Sequence, residues 1–427
     1  MQTLSGTWKL ATDAANVGRE ERWFEQIRAE AQDAPVPGVV QQVFPDHHGV
    51  SWYWHKFRPN MKPGRNDRCL LRFGAVQYLA EVWLNGTLVG GHEGGDVSFN
   101  LDVTRAIRSG EENLLAVRVV HPSNTPVDGL RLCEIPSGAG RGYGGLLLPV
   151  ELLCVPAVRI DDVFVQPDVA TGDIDVTVRV VNDTETAFRG VVSGSAGPAM
   201  TGETADSEDI KAEFPKGHST HQFTLTISEP RLWSPETPHL YGVRVDLEAD
   251  NNKGATLRHE KSVRCGFRDF RVIDGYFHLN GKRIFLRSMH TAAWFPSGGP
   301  TPEPTPSFPR RDMILAKACG FNTVRFISGA ALTEQLDLCD ELGLMIYEEP
   351  LAAWNLADSP HMAERYDLSL REMILRDRNH PCVTIWGLLN EMPDGPTYRH
   401  AKQVLPMIRS LDNTRLVLLN CGRFAHD

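Results

Sequence analysis

The chain has 427 residues, of which 41% are hydrophobic and 23% charged, enough for two to four domains with cores of their own. A formal net charge of −10 disfavours nucleic acid or an anionic membrane as partner. No run approaches the roughly 18 apolar residues of a membrane span.

From the N-terminus to about residue 266 the hydrophobic period is two. QYLAEVWL is a strand, and Asn85-Gly86 after it marks a tight hairpin turn. ENLLAVRVV is a further strand, and aromatics crowd at Trp52-Tyr53-Trp54 and Trp83. In DIDVTVRVV, HQFTLTI and YGVRVDLE apolar residues alternate with polar ones, the mark of sheets with one wet face. This predicts a β-sandwich over 1–156 and a smaller immunoglobulin-like sandwich over 157–266. The segment 183–220, rich in Gly, Ser, Thr, Asp and Glu, reads as a set of mobile turns. His47, His48 and His55 stand among aromatics without a carboxylate or Cys at ligand spacing, so packing is expected of them. His92-Glu93-Gly94-Gly95 reads as a structural turn.

After residue 267 the pattern becomes strand–helix–strand. Lys282–Met289 reads as an apolar strand, with a helix over 309–319 and a strand over 321–327. A helix over 331–342 and the strand LMIYEE follow. Gly320 and Gly343 end these two helices, each supplying a left-handed terminal residue. A helix over 360–378, a strand over 382–387, a helix over 397–411 and the strand TRLVLLN complete the series. About five strands of a (β/α)8 barrel are thus predicted over 267–427. The Pro-rich stretch 296–309 cannot be a helix or a central strand, and reads either as an ordinary ordered loop or, at the end of the first barrel strand, as a wall of the pocket.

The apolar run Cys382–Trp386 is a strand buried on both faces, and it leads into Asn390-Glu391. An ionisable Glu belongs at the C-terminal end of such a strand, where barrels carry their chemistry. An amide beside a carboxyl there suits sugar chemistry: the Glu handles a proton and the Asn holds a hydroxyl.

The chain resembles the family 2 glycoside hydrolases, which include β-galactosidases, β-glucuronidases and β-mannosidases. The resemblance is carried in order by HHGVSWYWHKF, FGAVQYLAEVWLNGTLVGGHEGGDVSFNLDVT, RGYGGLLLPVEL, LWSPETPHLYGVRVDL, GFRDFRVIDGYFHLNGKRIFLRSMH and RNHPCVTIWGLLNE. It implies a jelly-roll-like sugar-binding sandwich, an immunoglobulin-like sandwich and a catalytic TIM barrel. It also implies a retaining mechanism on a β-linked carbohydrate substrate, with two carboxyls roughly 5–5.5 Å apart. The family's acid/base maps onto Glu391 and its hydroxyl-holding Asn onto Asn390. Arg325 matches a pocket arginine, Glu349 an acidic residue ending strand three, and His290 a histidine after strand one. Glu348 alternates to the opposite side and reads as structural. Where the family often has Asn-Arg-His, this chain has Ser-Met-His. Trp294 and Trp354, in loops after strands one and three, offer faces for a sugar ring.

The family's nucleophile sits on strand seven, roughly 90 residues after strand four at about 30 residues per βα unit. The chain ends at Asp427, so no nucleophile is expected within it. A truncated enzyme, one half of a split enzyme completed by another barrel half, and a non-catalytic carbohydrate-binding protein all remain open. So does homo-oligomerisation. Eight scattered cysteines without a CxxC pair read as reduced core thiols, and no cofactor or metal is expected. The N-terminus has no basic segment followed by an apolar one, which predicts a cytoplasmic protein.

Overall fold

In the computed structural model, residues 1–137, 142–251, 256–291 and 308–422 are described. Strand alternation builds the first sandwich. A six-stranded antiparallel sheet runs in the order Gln32–Val36, Gly6–Thr12, Gly49–Phe57, Asn113–His121, Leu79–Leu84, Thr87–Glu93. It faces a four-stranded sheet ordered Gln2–Thr3, Val150–Pro156, Asp67–Phe73, Phe99–Asp102. Within Gly49–Phe57, Tyr53 points into the core between the sheets, while its neighbours Trp52 and Trp54 enter a second apolar layer with Trp23 and Trp83. The Trp54 indole N–H donates to the Trp23 carbonyl at 2.8 Å, so the large ring is buried with its polar atom satisfied. Asn85 and Gly86 both have positive φ, 52° and 82°, the backbone of a tight hairpin turn.

The second sandwich pairs a three-stranded sheet (Val158–Pro167, Asp173–Asn182, Gly217–Thr226) with a four-stranded one (Asp206–Phe214, Phe188–Pro198, Tyr241–Asp250, Thr256–Cys265). Residues 183–220 are therefore not a set of turns, as their composition suggested. Most of them form the long strands Phe188–Pro198 and Asp206–Phe214. Their glycines answer close approach rather than turning. A Cβ on Gly194 would lie 2.1 Å from the Phe223 ring, and one on Gly190 would lie 1.8 Å from the Glu248 carbonyl oxygen. Asp206–Phe214 is an edge strand, and its exposed, charged residues blunt that edge.

A small antiparallel sheet, Phe270–Ile273, Tyr276–Leu279 and Lys282–Arg283, leads into five parallel strands: Ser288–Thr291, Thr323–Phe326, Met345–Glu348, Val383–Gly387 and Leu416–Leu418. The run 282–289 is thus split. Lys282–Arg283 closes the antiparallel sheet, Phe285 is 82% exposed, and the first parallel strand starts only at Ser288. His290 consequently lies within that strand, not after it. Helices Phe308–Ala318, Thr333–Leu342 and Met362–Asp377 connect the first four strands. The expected helix over 397–411 is two, Pro396–Ala401 and Leu405–Leu411. Gly320 and Gly343 close their helices at φ 85° and 69°. Among the described residues no helix is long and apolar enough to cross a membrane.

Both sandwiches grip the helices of the parallel sheet. Helix Met362–Asp377 meets the first sandwich through His92 and Glu372 (3.0 Å), an Arg365–Glu93 ion pair, and Arg376 donating to the Asp96 carbonyl (2.8 Å). Helix Thr333–Leu342 meets the second through Arg264, paired with Asp337 and Glu341, and through the Trp233 indole bonded to the Asp340 carbonyl at 2.9 Å.

Candidate functional site

Residues paired in register on adjacent parallel strands share a face. Arg325 pairs with His290 on one side and Tyr347 on the other, and Tyr347 with Ile385. Two residues on, the same face carries Glu349 and Gly387. The Arg325 guanidinium donates to Glu349 Oε1 from Nε (3.0 Å) and Nη2 (2.5 Å), and from Nη2 to Asn390 Oδ1 (2.7 Å). It also lies over the Tyr347 ring, 4.9 Å from the centroid. Glu349 Oε2 accepts the Ser328 backbone N–H at 3.0 Å.

Glu349 is fully buried, and that burial pushes its pKa up despite the opposing pull of Arg325. Burial works to lower Arg325, but Glu349 and Tyr347 prevail and hold it above its usual value. Burial, followed by the charge of Glu349, raises the Tyr347 phenol. Gly387 makes room for this cluster: a Cβ there would sit 2.2 Å from the Tyr347 ring and 2.6 Å from Glu349 Cγ.

Asn390 is buried, and its backbone N–H bonds to the Ala353 carbonyl at 2.8 Å. Glu391 follows at φ 50°, its N–H bonded to the Cys421 carbonyl at 2.8 Å. Its side chain is exposed and lies against Gly422, where an added Cβ would come within 2.9 Å of Glu391 Cγ. Glu391, Trp354, Asn355, Met392, Pro393 and Gly422 line a cleft of 460 Å³. Ser328, Asn355 and Glu391, from the loops after three successive strands, all have positive φ. Such backbone costs of order 1–3 kcal/mol per residue, and seven further described non-glycine residues outside this cleft also adopt it. Larger clefts of 510, 580 and 560 Å³ lie on the second sandwich and at its junction with the first; none of their lining residues comes from a parallel strand end.

The structure therefore brings Arg325, Glu349 and Asn390 into direct contact, and places Glu391 and Trp354 on one neighbouring cleft. His290 is exposed on the outermost strand, in register with Arg325. Trp294 lies outside the described residues. Glu348 faces away from this cluster: it is buried, accepts the Ala331 N–H at 3.2 Å, and sits beside Asp377 and Arg376. Tyr347, Ser328 and Gly387 were not singled out from sequence. Tyr347 could have been, since it stands two residues before Glu349 on the same strand face.

Among the described residues, Asp340, His380 and Cys382 form one group close enough to share a metal ion. They lie at the opposite, N-terminal end of strand Val383–Gly387. Asp340 bonds His380 Nδ1 (2.6 Å) and the Cys382 N–H (2.9 Å), and the Cys382 thiol donates to the Leu336 carbonyl (3.5 Å). Burial, then Asp340, raises the Cys382 thiol well above its usual value, which opposes the thiolate a metal needs. These residues fit a register lock better than a metal centre.

Comparison with known proteins agrees along most of the chain. Residues 39–130 match the sugar binding domain of glycosyl hydrolases family 2, residues 158–268 a second model of that family, and residues 270–425 its TIM barrel domain. A β-galactosidase of Thermoanaerobacter pseudethanolicus is 30% identical over 383 residues, covering 87% of this chain and 48% of the relative. A β-glucuronidase of Paenibacillus borealis is 26% identical, over 97% of this chain and 70% of the relative. The chain thus spans about half the length of the first of these relatives. The Ruminococcus gnavus β-glucuronidase solved with D-glucuronic acid superposes with a TM-score of 0.81 at 24% identity, covering 97% of this chain and 72% of that one.

Proposed function

The chain belongs to glycosyl hydrolase family 2, and from that premise we propose that it carries the acid/base half of a site cleaving β-linked glycosides by a retaining double displacement. One observation carries this reading. Arg325 ties Glu349 and Asn390 together at the C-terminal ends of three parallel strands, and Glu391 is the next residue, on an open cleft. In this scheme Glu391 protonates the leaving oxygen and then deprotonates water. Asn390, its Oδ1 held by Arg325, offers its amide N–H groups to a sugar hydroxyl. Trp354 gives the ring a face to stack on, and His290 lies at the rim. Glu349 is a positioning residue, since its oxygens are engaged by Arg325 and Ser328.

In this reading the attacking carboxylate is none of those described beside the cleft. Glu348 and Glu349 both hold internal partners, and Asp394 is paired with Arg399. The division of labour follows 1–156 for sugar binding, 157–266 as the immunoglobulin-like spacer, and 267–427 for the barrel.

The test uses aryl β-galactosides, β-glucuronides and β-mannosides, assayed with the chain alone and with a polypeptide supplying the remaining barrel strands. The chain alone should show no turnover. In the completed enzyme Glu391→Gln should cost 10²–10⁴-fold (roughly) on poor leaving groups and far less on activated ones. A small external anion should restore part of the activity. Equal losses on both substrate types would remove Glu391 from the acid role, and turnover by the chain alone would show that it holds its own nucleophile.

A further inference from the structure

Cys69 and Cys154 face each other across two antiparallel strands of the first sandwich, Asp67–Phe73 and Val150–Pro156. Antiparallel neighbours alternate between pairs that exchange backbone hydrogen bonds and pairs that do not. Four bonds fix which kind this is. The Gly74 N–H donates to Pro149 O, and the Ala157 N–H to Asn66 O, which sets the phase of the ladder at both ends. Between them, the Cys69 N–H donates to Thr104 Oγ1 and its carbonyl accepts from Val103, both away from Cys154. Cys69 and Cys154 are therefore a non-hydrogen-bonded pair, the arrangement in which Cα atoms lie about 4.5 Å apart and side chains on one face are closest. That separation falls inside the range a disulfide spans.

From this juxtaposition we propose that Cys69 and Cys154 form a dithiol modification site, closed to a disulfide by thiol–disulfide exchange with a low-molecular-weight disulfide. Cys154 is half-buried and Cys69 almost wholly buried, so Cys154 reacts first. Its proton leaves to solvent, past the Asp67 carboxylate to which the thiol donates at 3.7 Å. The thiolate attacks one sulfur of RSSR, forming a mixed disulfide and releasing RS⁻. Cys69 then loses its proton and attacks Cys154 Sγ, expelling the second RS⁻. Two protein thiols and RSSR become one protein disulfide and two RSH; the protein sulfurs are oxidised and the reagent sulfurs reduced. Burial and neighbouring charges raise both thiols, Cys69 to about 11, so the exchange is slow at neutral pH and quickens in mild alkali. The bond would staple the two strands where the chain leaves the first sandwich for the second, at Pro156–Val158.

The experiment is independent of any glycosidase activity. The folded chain is incubated with glutathione disulfide at about pH 8.5, then acid-quenched, alkylated and mapped without reduction. The exposed Cys133 and Cys319 serve as internal controls that take up glutathione. The expected product links the peptides holding Cys69 and Cys154 and raises the Tm by roughly 5 °C or more. Cys69→Ser should leave a stable glutathione adduct on Cys154, and Cys154→Ser should leave Cys69 unreacted. If either variant fails to fold, the unsubstituted chain still decides. A persistent adduct on Cys154 without the cross-link, or two free thiols when both controls are modified, would overturn the proposal.

Discussion

The parallel sheet buries a carboxylate-centred polar cluster at each end, and the two differ in what they leave over. At the N-terminal end Asp340 satisfies His380 and the Cys382 backbone, and the group is closed upon itself. At the C-terminal end Arg325 satisfies Glu349 and Asn390, yet the next residue, Glu391, is exposed on a cleft with a left-handed backbone. Burial of ionisable groups is common to both, so burial does not distinguish a site from a lock. What sets the two apart is access: Glu391 is exposed on a cleft, whereas Asp340 is buried.

Four substitutions break or sharpen that contrast, in descending order of effect. Arg325→Ala strands Glu349 in a dry interior and should cost about 3–5 kcal/mol. Hydrogen exchange of strands 323–326 and 345–348 would report it, and an unchanged exchange pattern would mean the pair is not structurally required. Gly387→Ala drives a methyl into Tyr347 and Glu349, at a cost of about 1–3 kcal/mol by the same readout. At the lock, burial works to lower His380 but Asp340 raises it on balance. A folded pKa above the unfolded value of about 6.5 means stability fully present below pH ~6.5 and lost as pH rises through the folded pKa. His380→Gln should flatten that alkaline decline in urea midpoints. Glu391→Gln should change stability by less than about 0.5 kcal/mol, because the side chain is exposed. A large loss there would make Glu391 a structural residue and dissolve the contrast.

The parts legible in sequence were those where one periodicity acted alone. Alternation gave the strands around Asp175, Phe223 and Val245, and Gly320 and Gly343 gave the helix ends. Two readings failed where glycine or an apolar residue served a second purpose. Gly190 and Gly194 admit close neighbours within a strand, so composition made 183–220 look like turns. Phe285 extended an apolar run that the fold divides between two sheets. Among the candidate residues, Asn390 and Glu391 were singled out by the buried strand that leads into them, and Arg325 and Glu349 by the resemblance to the family. Tyr347 needed only the strand alternation from Glu349, but Gly387 was not legible, since a buried glycine in a strand looks like ordinary core until the third dimension sets it beside Tyr347 and Glu349.

The grip of the first sandwich on helix Met362–Asp377 has a consequence in time. His92 and Glu372 are 280 residues apart, as are Asp96 and Arg376. A ribosome adding about 5–20 residues per second needs roughly a quarter of a minute to a minute to cover that stretch. Once Pro156 is made, and for the rest of that interval, the nascent sandwich is complete while Glu93 and the Asp96 carbonyl still wait for Arg365 and Arg376. It must hold its shape with that docking surface uncovered, and it then stands ready as the template on which the helix, and with it the strand ends bearing Arg325 and Asn390, is aligned.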